Sequence, residues 1–190
     1  MGKRHAAHAF MPDTYVFPGG RRDRHDGRVP VADRLHPAVE EKLLLKMASP
    51  AHAARAQALA IAAVRETYEE VGVFIAGPGQ PSGQKSWAAF AERNIAPRLS
   101  PLRYIARAVT PPRQNRRFDT RFMACFRDEV GEVAAMSSNE LLDLKWVKLS
   151  QAANVSMPRI TRAIITELVF ELENEPTLPF GRPVPFYQAR

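Results

Sequence analysis

Apolar positions along this chain fall into two rhythms, and each predicts a class of element. Thr14 to Phe17 is β-branched and aromatic and is broken by Pro18-Gly19-Gly20, which predicts a short strand ending in a glycine turn. An open loop follows over 21–36. Pro37 to Met47 has the composition of a short helix with proline at its first turn, and Ser49-Pro50 opens a longer helix that runs to about Val71 and is closed by Gly72. Val73-Phe74-Ile75 reads as a buried strand, 77–83 as a flexible loop, and Trp87 to Arg93 as a weak helical segment. Leu102–Val109 and Phe118–Phe126 read as two strands joined by a long hairpin connection, and Leu142–Leu149 alternates as a further strand. Met157 to Glu173 is an amphipathic helix with Ile160, Ile164 and Leu168 on its buried side. The proline-rich tail from about 174 to 190 is expected to be irregular. No internal repeat and no linker interrupts the order, so the chain reads as one α/β domain over 1–190.

The segment Ala58 to Val73 carries the chemistry. At about 100° per residue, Ile61, Val64, Tyr68 and Val71 form one stripe, and Glu66, Glu69 and Glu70 fall on the opposite side. Like charges three and four residues apart cost a helix about 0.2–0.5 kcal/mol per pair, so the cluster is unfavourable unless something positive sits beside it. A hard divalent cation satisfies that need. Carboxylate oxygens suit magnesium or manganese, and no histidine or cysteine stands nearby in sequence to favour zinc. A solvated acidic face is the alternative.

Composition narrows the classes. At 45% hydrophobic and 25% charged residues the chain is neither disordered nor fibrous. Its longest apolar run, Ala58–Val64, is far short of the roughly 20 residues that span a bilayer, and no apolar stretch follows Met1 as a signal peptide requires. Cys125 is the single cysteine, which excludes an intramolecular disulfide and fits a reducing, cytoplasmic setting. The net charge of +7 points to an anionic partner. Its cations gather at Lys3 and Arg4, at Arg21, Arg22, Arg24 and Arg28, and between Arg103 and Arg127.

Arg65, Glu66, Glu69, Glu70 and Gly72 spell R-E-x-x-E-E-x-G. With Gly20 and its lead-in Phe17-Pro18-Gly19, the segment resembles the Nudix box of the Nudix hydrolases, G-x5-E-x7-R-E-U-x-E-E-x-G-U with U apolar. Three positions depart from that pattern. Thr67 stands at the first U. The pattern puts the arginine fourteen positions after the glycine and here it is forty-five, so about thirty-one residues are inserted, over roughly 24–54. Gln57 stands where counting back from Arg65 places the first glutamate. An insertion in that loop is similar to the branch that includes peroxisomal coenzyme A diphosphatases, and RRFDTRF at 116–122 resembles that branch too. A coenzyme A signature found ahead of the box in some relatives matches only at Arg4 and FPGG, which leaves coenzyme A a candidate.

The resemblance implies an α/β/α sandwich on a mixed β-sheet, with an inserted, partly helical loop and metal ions held by a loop-helix-loop. Glu69 and Glu70 would be metal ligands, Glu66 a ligand or the general base, the Gly20 carbonyl a further ligand, and Arg65 the residue that orients the glutamates. The implied reaction is attack of a magnesium- or manganese-activated water on a diphosphate linkage of a nucleotide-derived small molecule, coenzyme A or its acyl derivatives among the candidates. Arg4, Arg117 and Arg121 are expected to bind substrate, with Arg117, Asp119 and Arg121 on one face of a strand and Arg116 on the other. Arg113 stands beside the same hairpin, and Glu140 is a candidate for an extra carboxylate.

Bland readings stand beside weaker signals. His5 and His8 lack the further ligands of a zinc site, and Trp87 and Trp146 read as core. A Nudix-fold binding or regulatory module that has lost catalysis is the second function, favoured by Gln57 and the insertion. An RNA-directed protein is the third; no RNA-binding motif accompanies the charge, so nucleic acid is not the expected partner. Only Met1–Lys3 precede Arg4, where the family places an apolar strand. The reading frame is therefore expected to begin upstream, and an unpaired edge left by that strand would favour a homodimer.

Overall fold

The computed structural model describes residues 1–5, 12–45, 47, 52–112, 117–131, 133 and 141–188. His8, Arg113, Arg116 and Glu140 lie outside the described residues. Strands β1 (Gly2–Arg4) and β2 (Tyr15–Val16) are followed by helices α1 (Pro37–Leu44) and α2 (Ala53–Val71). Then come β3 (Ala76–Pro78), α3 (Ala88–Glu92), β4 (Ile95–Pro97), β5 (Arg103–Val109), β6 (Asp119–Ala124), β7 (Leu141–Leu142), α4 (Arg159–Asn174) and β8 (Phe186–Gln188).

The long hairpin of β5 and β6 is the centre of the molecule. It pairs antiparallel from Arg103↔Ala124 to Val109↔Asp119, with a register shift between Tyr104 and Ala106. The shift sends Ile105 and Ala106 to the same side, where they pack with Phe122, Ile164 and Leu168 of α4. Tyr104 and Met123 face the other way, into a cluster with Ile61 and Val64 of α2 and with Phe74, Trp87 and Phe90. One sheet thus lies between α2 and α4, which is the expected α/β/α sandwich.

The insertion is part of the core. Val29, Leu35, Val39 and Leu43 join the cluster around α2, so α1 is a packed helix rather than a surface flap. His36 caps it, its Nδ1 accepting from Ala38 N–H at 3.2 Å, and the same ring stacks on Phe180 at 4.3 Å. Gly72 ends α2 with φ +71°, a conformation that a side chain disfavours, and its N–H donates to Tyr68 O at 2.8 Å.

Several expectations are corrected. The tail is irregular over 175–185, as expected, but it ends in a strand: β8 pairs in parallel with β5, Arg182 donates to the Tyr104 and Ile105 carbonyls, and Lys42 of α1 donates to the Phe180 and Arg182 carbonyls. Proline spacing hid a strand whose partner is distant in sequence. The strand expected over Leu142–Leu149 shrinks to Leu141–Leu142, and Trp146 beyond it is 73% exposed rather than core. Trp87 is fully buried, as read. Residues 73–75 are buried, and among the described residues their β-pairing is an isolated antiparallel bridge from Val73 to Val133, outside the named strands. β1 itself is a strand, paired with β2 on one side and β7 on the other, so Arg4 lies within a strand rather than after one. No helix among the described residues is long and apolar enough to cross a membrane.

Candidate active site

Two elements meet to make the site: the last two turns of α2 and the loop that leaves β2 through Phe17-Pro18-Gly19-Gly20. Arg65 joins them. Its guanidinium is nearly buried and every edge is used: Nη1 donates to Glu66 Oε1 and to Glu69 Oε2, each at 2.8 Å, Nη2 donates to Arg21 O at 2.9 Å, and Nε donates to Asp26 Oδ1 at 3.1 Å. Burial opposes the charge on Arg65, but the Asp26 hydrogen bond and the charges of Glu66, Asp26 and Glu69 outweigh it and raise its pKa. A fixed cation of this kind orients carboxylates.

Asp26 was missed in the sequence. It is 2% exposed, accepts from Arg65 Nε and from its own loop at Asp23 N–H (2.6 Å), and stands six residues after Gly20, where G-x5-E puts its glutamate. Counting back from Arg65 led to Gln57; counting forward from Gly20 leads to Asp26. The inserted residues therefore follow Asp26, and the first half of the box is intact with aspartate for glutamate. The signal was present in the Gly20–Asp26 spacing.

The glutamates occupy three different positions. Glu66 lies against Gly20, so close that a Cβ on residue 20 would collide with its carboxylate. Glu70 is buried, and its Oε2 accepts from Gly19 N–H at 2.8 Å. Glu69 has a side chain 37% exposed and is the freest of the three. Thr67, at the position the pattern gives to an apolar residue, satisfies its hydroxyl within the helix by donating to Ala63 O at 2.7 Å. Tyr68 fixes the end of α2 by ring contacts with Phe74 at 4.5 Å and Phe90 at 5.4 Å.

Among the described residues no three His, Cys, Asp or Glu side chains are arranged as a ready metal cluster. The donor chemistry nevertheless fits a hard divalent cation. Arg65 draws the Glu66 and Glu69 carboxylates to one point, and one guanidinium faces the three carboxylates of Asp26, Glu66 and Glu69, leaving the half-buried cluster net negative. Glu66 and Glu69, with Glu70 from the next position along the helix, are the residues that would hold it.

Of the expected substrate arginines, Arg121 is built into a network on the β5–β6 hairpin. Its Nη1 pairs with Asp119 Oδ2 at 2.9 Å, and Asp119 also takes a two-pronged bond from Arg107, Nε to Oδ1 and Nη2 to Oδ2, both at 2.8 Å. Arg107, not Arg117, completes the group, because Arg107 and Arg121 are directly opposite across the β5–β6 ladder. Arg121 Nε is buried without a hydrogen-bond partner among the described residues. Arg117 is exposed at the mouth of the hairpin. Arg4 is half-buried in β1, its N–H donating to Thr14 O at 3.0 Å.

A contact of Arg21 links the network to the loop of the glutamate site. Arg21, next to Gly20, has its guanidinium over the Phe118 ring at 5.7 Å, and Phe118 precedes Asp119.

No protein-family model matches the sequence, and no curated protein matches it. Among solved structures the chain is similar to the NUDIX hydrolase from Alicyclobacillus acidocaldarius, with 26% sequence identity, a TM-score of 0.61, and coverage of 89% of this chain and 82% of that one. The sandwich, the Gly20–Asp26 and Arg65–Gly72 segments meeting in one site, and this neighbour give the chain a Nudix-type fold and support its place among the Nudix hydrolases.

Proposed function

We propose that this protein is a Nudix-type diphosphatase that hydrolyses, with a magnesium or manganese ion, the diphosphate linkage of a nucleotide-derived small molecule. The observation that carries the reading is Arg65, whose buried guanidinium gathers Glu66, Glu69 and Asp26 at the loop whose glycines touch Glu66 and Glu70. A bound divalent cation supplies an acidified water and neutralises charge on the departing phosphate. The chain's own work is to place ligands and to manage one proton. Glu69 and Glu70 are offered as ligands, and Glu66, pinned between Arg65 and Gly20, as a further ligand or as the base that takes the proton from the attacking water. The water oxygen bonds to one phosphorus, the bridging P–O bond breaks, and two phosphorylated products leave.

Arg121 supplies positive charge for substrate phosphates, with Asp119 and Arg107 holding it in place; Arg117 and Arg4 extend the same role toward the hairpin and the first strand. The inserted residues and the Arg117–Phe122 segment favour the branch that contains coenzyme A diphosphatases, and coenzyme A and its acyl derivatives head the candidate substrates. The Asp26–Arg65 pair supports the catalytic reading over a non-catalytic module, because it supplies a carboxylate six residues after Gly20 although Gln57 stands on the helix. Cys125 is partly buried against the core around α2, and burial pushes its thiol up to about 11, so it stays protonated. The test is a panel of nucleoside diphosphate-linked substrates with magnesium or manganese, run in 18O-water with mass analysis of both products. Label in one phosphate product supports the reading; no turnover across the panel contradicts it.

A further inference from the structure

The loop that leaves Gly20 carries arginines at 21, 22 and 24, all exposed, yet among the described residues only the first is fixed at both ends. The Arg21 carbonyl accepts from the buried Arg65 Nη2 at 2.9 Å, which ties its backbone to the residue that orients the glutamates. Its guanidinium rests over Phe118 at 5.7 Å. The ring is itself held, since Phe118 N–H donates to Thr110 Oγ1 at 3.0 Å and the next residue, Asp119, is bound to Arg107 and Arg121. An exposed arginine ordinarily spends side-chain entropy to make a contact; one already seated on a ring spends less. One residue away, Gly20 lies against Glu66.

We propose that Arg21 is a phosphate-binding residue of this site, bridging the glutamates on α2 and the arginine pair on the β5–β6 hairpin, with Phe118 as its positioning residue. The proposal rests on the diphosphatase reading and deepens it by naming a donor for diphosphate oxygens that the glutamate-held cations leave uncovered. The carboxylates of Glu66, Glu69 and Glu70 would offset the charge of a divalent cation that they hold, so the two negative charges of a substituted diphosphate gain from a further cationic partner, and Arg21 stands one residue from the Gly20 that lies against Glu66. Arg22 and Arg24 share its charge and exposure but not its two anchors, so they separate a specific contact from general attraction.

Binding of ADP is measured by calorimetry, together with kcat and KM for a nucleoside diphosphate-linked substrate, for wild type, Arg21→Ala, Arg21→Lys, Phe118→Leu and Arg22→Ala. Loss of a charge-assisted hydrogen bond predicts that Arg21→Ala weakens ADP and raises KM by about ten-fold or more while kcat changes little. Arg21→Lys recovers only part, because it loses the fork, and Phe118→Leu raises KM by a smaller factor at unchanged kcat. Arg22→Ala stays within about two-fold, the change expected for an unanchored exposed charge. ADP that binds Arg21→Ala as tightly as wild type, or fails to bind wild type, overturns the proposal, as does an equal loss in Arg22→Ala. Turnover that survives with Arg21→Ala indistinguishable from wild type rejects this inference and leaves the diphosphatase reading intact. Arg21-dependent ADP binding without turnover does the reverse.

Discussion

Replacing Asp26 by asparagine probes the architecture of the site at its most buried point. The carboxylate is 2% exposed and meets an Arg65 side chain that is 10% exposed, through contacts of 3.1 Å at Nε and 3.4 Å at Nη2. Removing one partner of a fully buried ion pair costs about 3–5 kcal/mol when the other is stranded. Arg65 is not stranded, because Glu66, Glu69 and the Arg21 carbonyl remain. The loss is then closer to that of a charged hydrogen bond, about 1.5–3 kcal/mol. For a chain of this length each kcal/mol moves Tm by about 2–4 °C, which gives a fall of about 3–12 °C for Asp26→Asn. Loosening Arg65 also disorders the glutamates, and losses of about 10–100-fold are typical when residues behind the ligands are removed. Asp26→Glu should retain most activity. Adding Gln57→Glu to Asp26→Ala should restore nothing, because the partner of Arg65 comes from the loop and not from the helix. Thermal melts and steady-state kinetics decide it. An unchanged Tm with activity within two-fold for Asp26→Asn, or rescue by Gln57→Glu, would refute the reasoning.

Three further outcomes follow from the same geometry. Gly20→Ala forces Glu66 away from the loop, so hydrolysis should fall by an order of magnitude or more while the melt changes little; kinetics beside a thermal melt check this. Leu43→Ala, in the inserted helix α1, should destabilise by about 2–5 kcal/mol, the cost of a cavity in a packed core, and a denaturant midpoint near wild type would show that the insertion is a surface appendage. Burial opposes the charge on Asp119, but Arg107 and Arg121 outweigh it and hold its carboxyl below the usual range. A depressed folded pKa stabilises above the unfolded value of about 4 and is lost as pH falls through the folded value. Wild type should therefore lose more stability than Asp119→Asn between about pH 5 and acid, read from melts across that range.

Much of the core and the box was legible because both rest on local pattern. The 3.6-residue period of Ile61, Val64 and Tyr68 marks the face of α2 that packs into the core, and the same period puts Glu66 and Glu69 where one guanidinium reaches both. Trp87 was legible as core by residue type, the ground that misplaced Trp146. What escaped depended on partners far away in sequence. β8 exists because β5 offers an edge eighty residues upstream, and no local propensity in a proline-rich tail records that. Arg107 became the partner of Asp119 through ladder register, which the sequence does not print. Asp26 was readable but was sought from the wrong end of the insertion. Trp146 looked like core because tryptophan usually is, and its exposure follows from β7 ending at Leu142.

The central claim is that carboxylates gathered by Arg65 hold a divalent cation for diphosphate hydrolysis, and one comparison tests it most directly. Turnover of a nucleoside diphosphate-linked substrate is measured for wild type and for Glu70→Gln, with magnesium and with excess chelator, after melts confirm that both proteins are folded. Glutamine keeps the size of Glu70 and its bond to Gly19 N–H but removes the charge. The account predicts turnover by wild type that the chelator abolishes, and a loss of about 100-fold or more in folded Glu70→Gln even with magnesium. Near-normal turnover by folded Glu70→Gln, or wild-type turnover that survives the chelator, would contradict it.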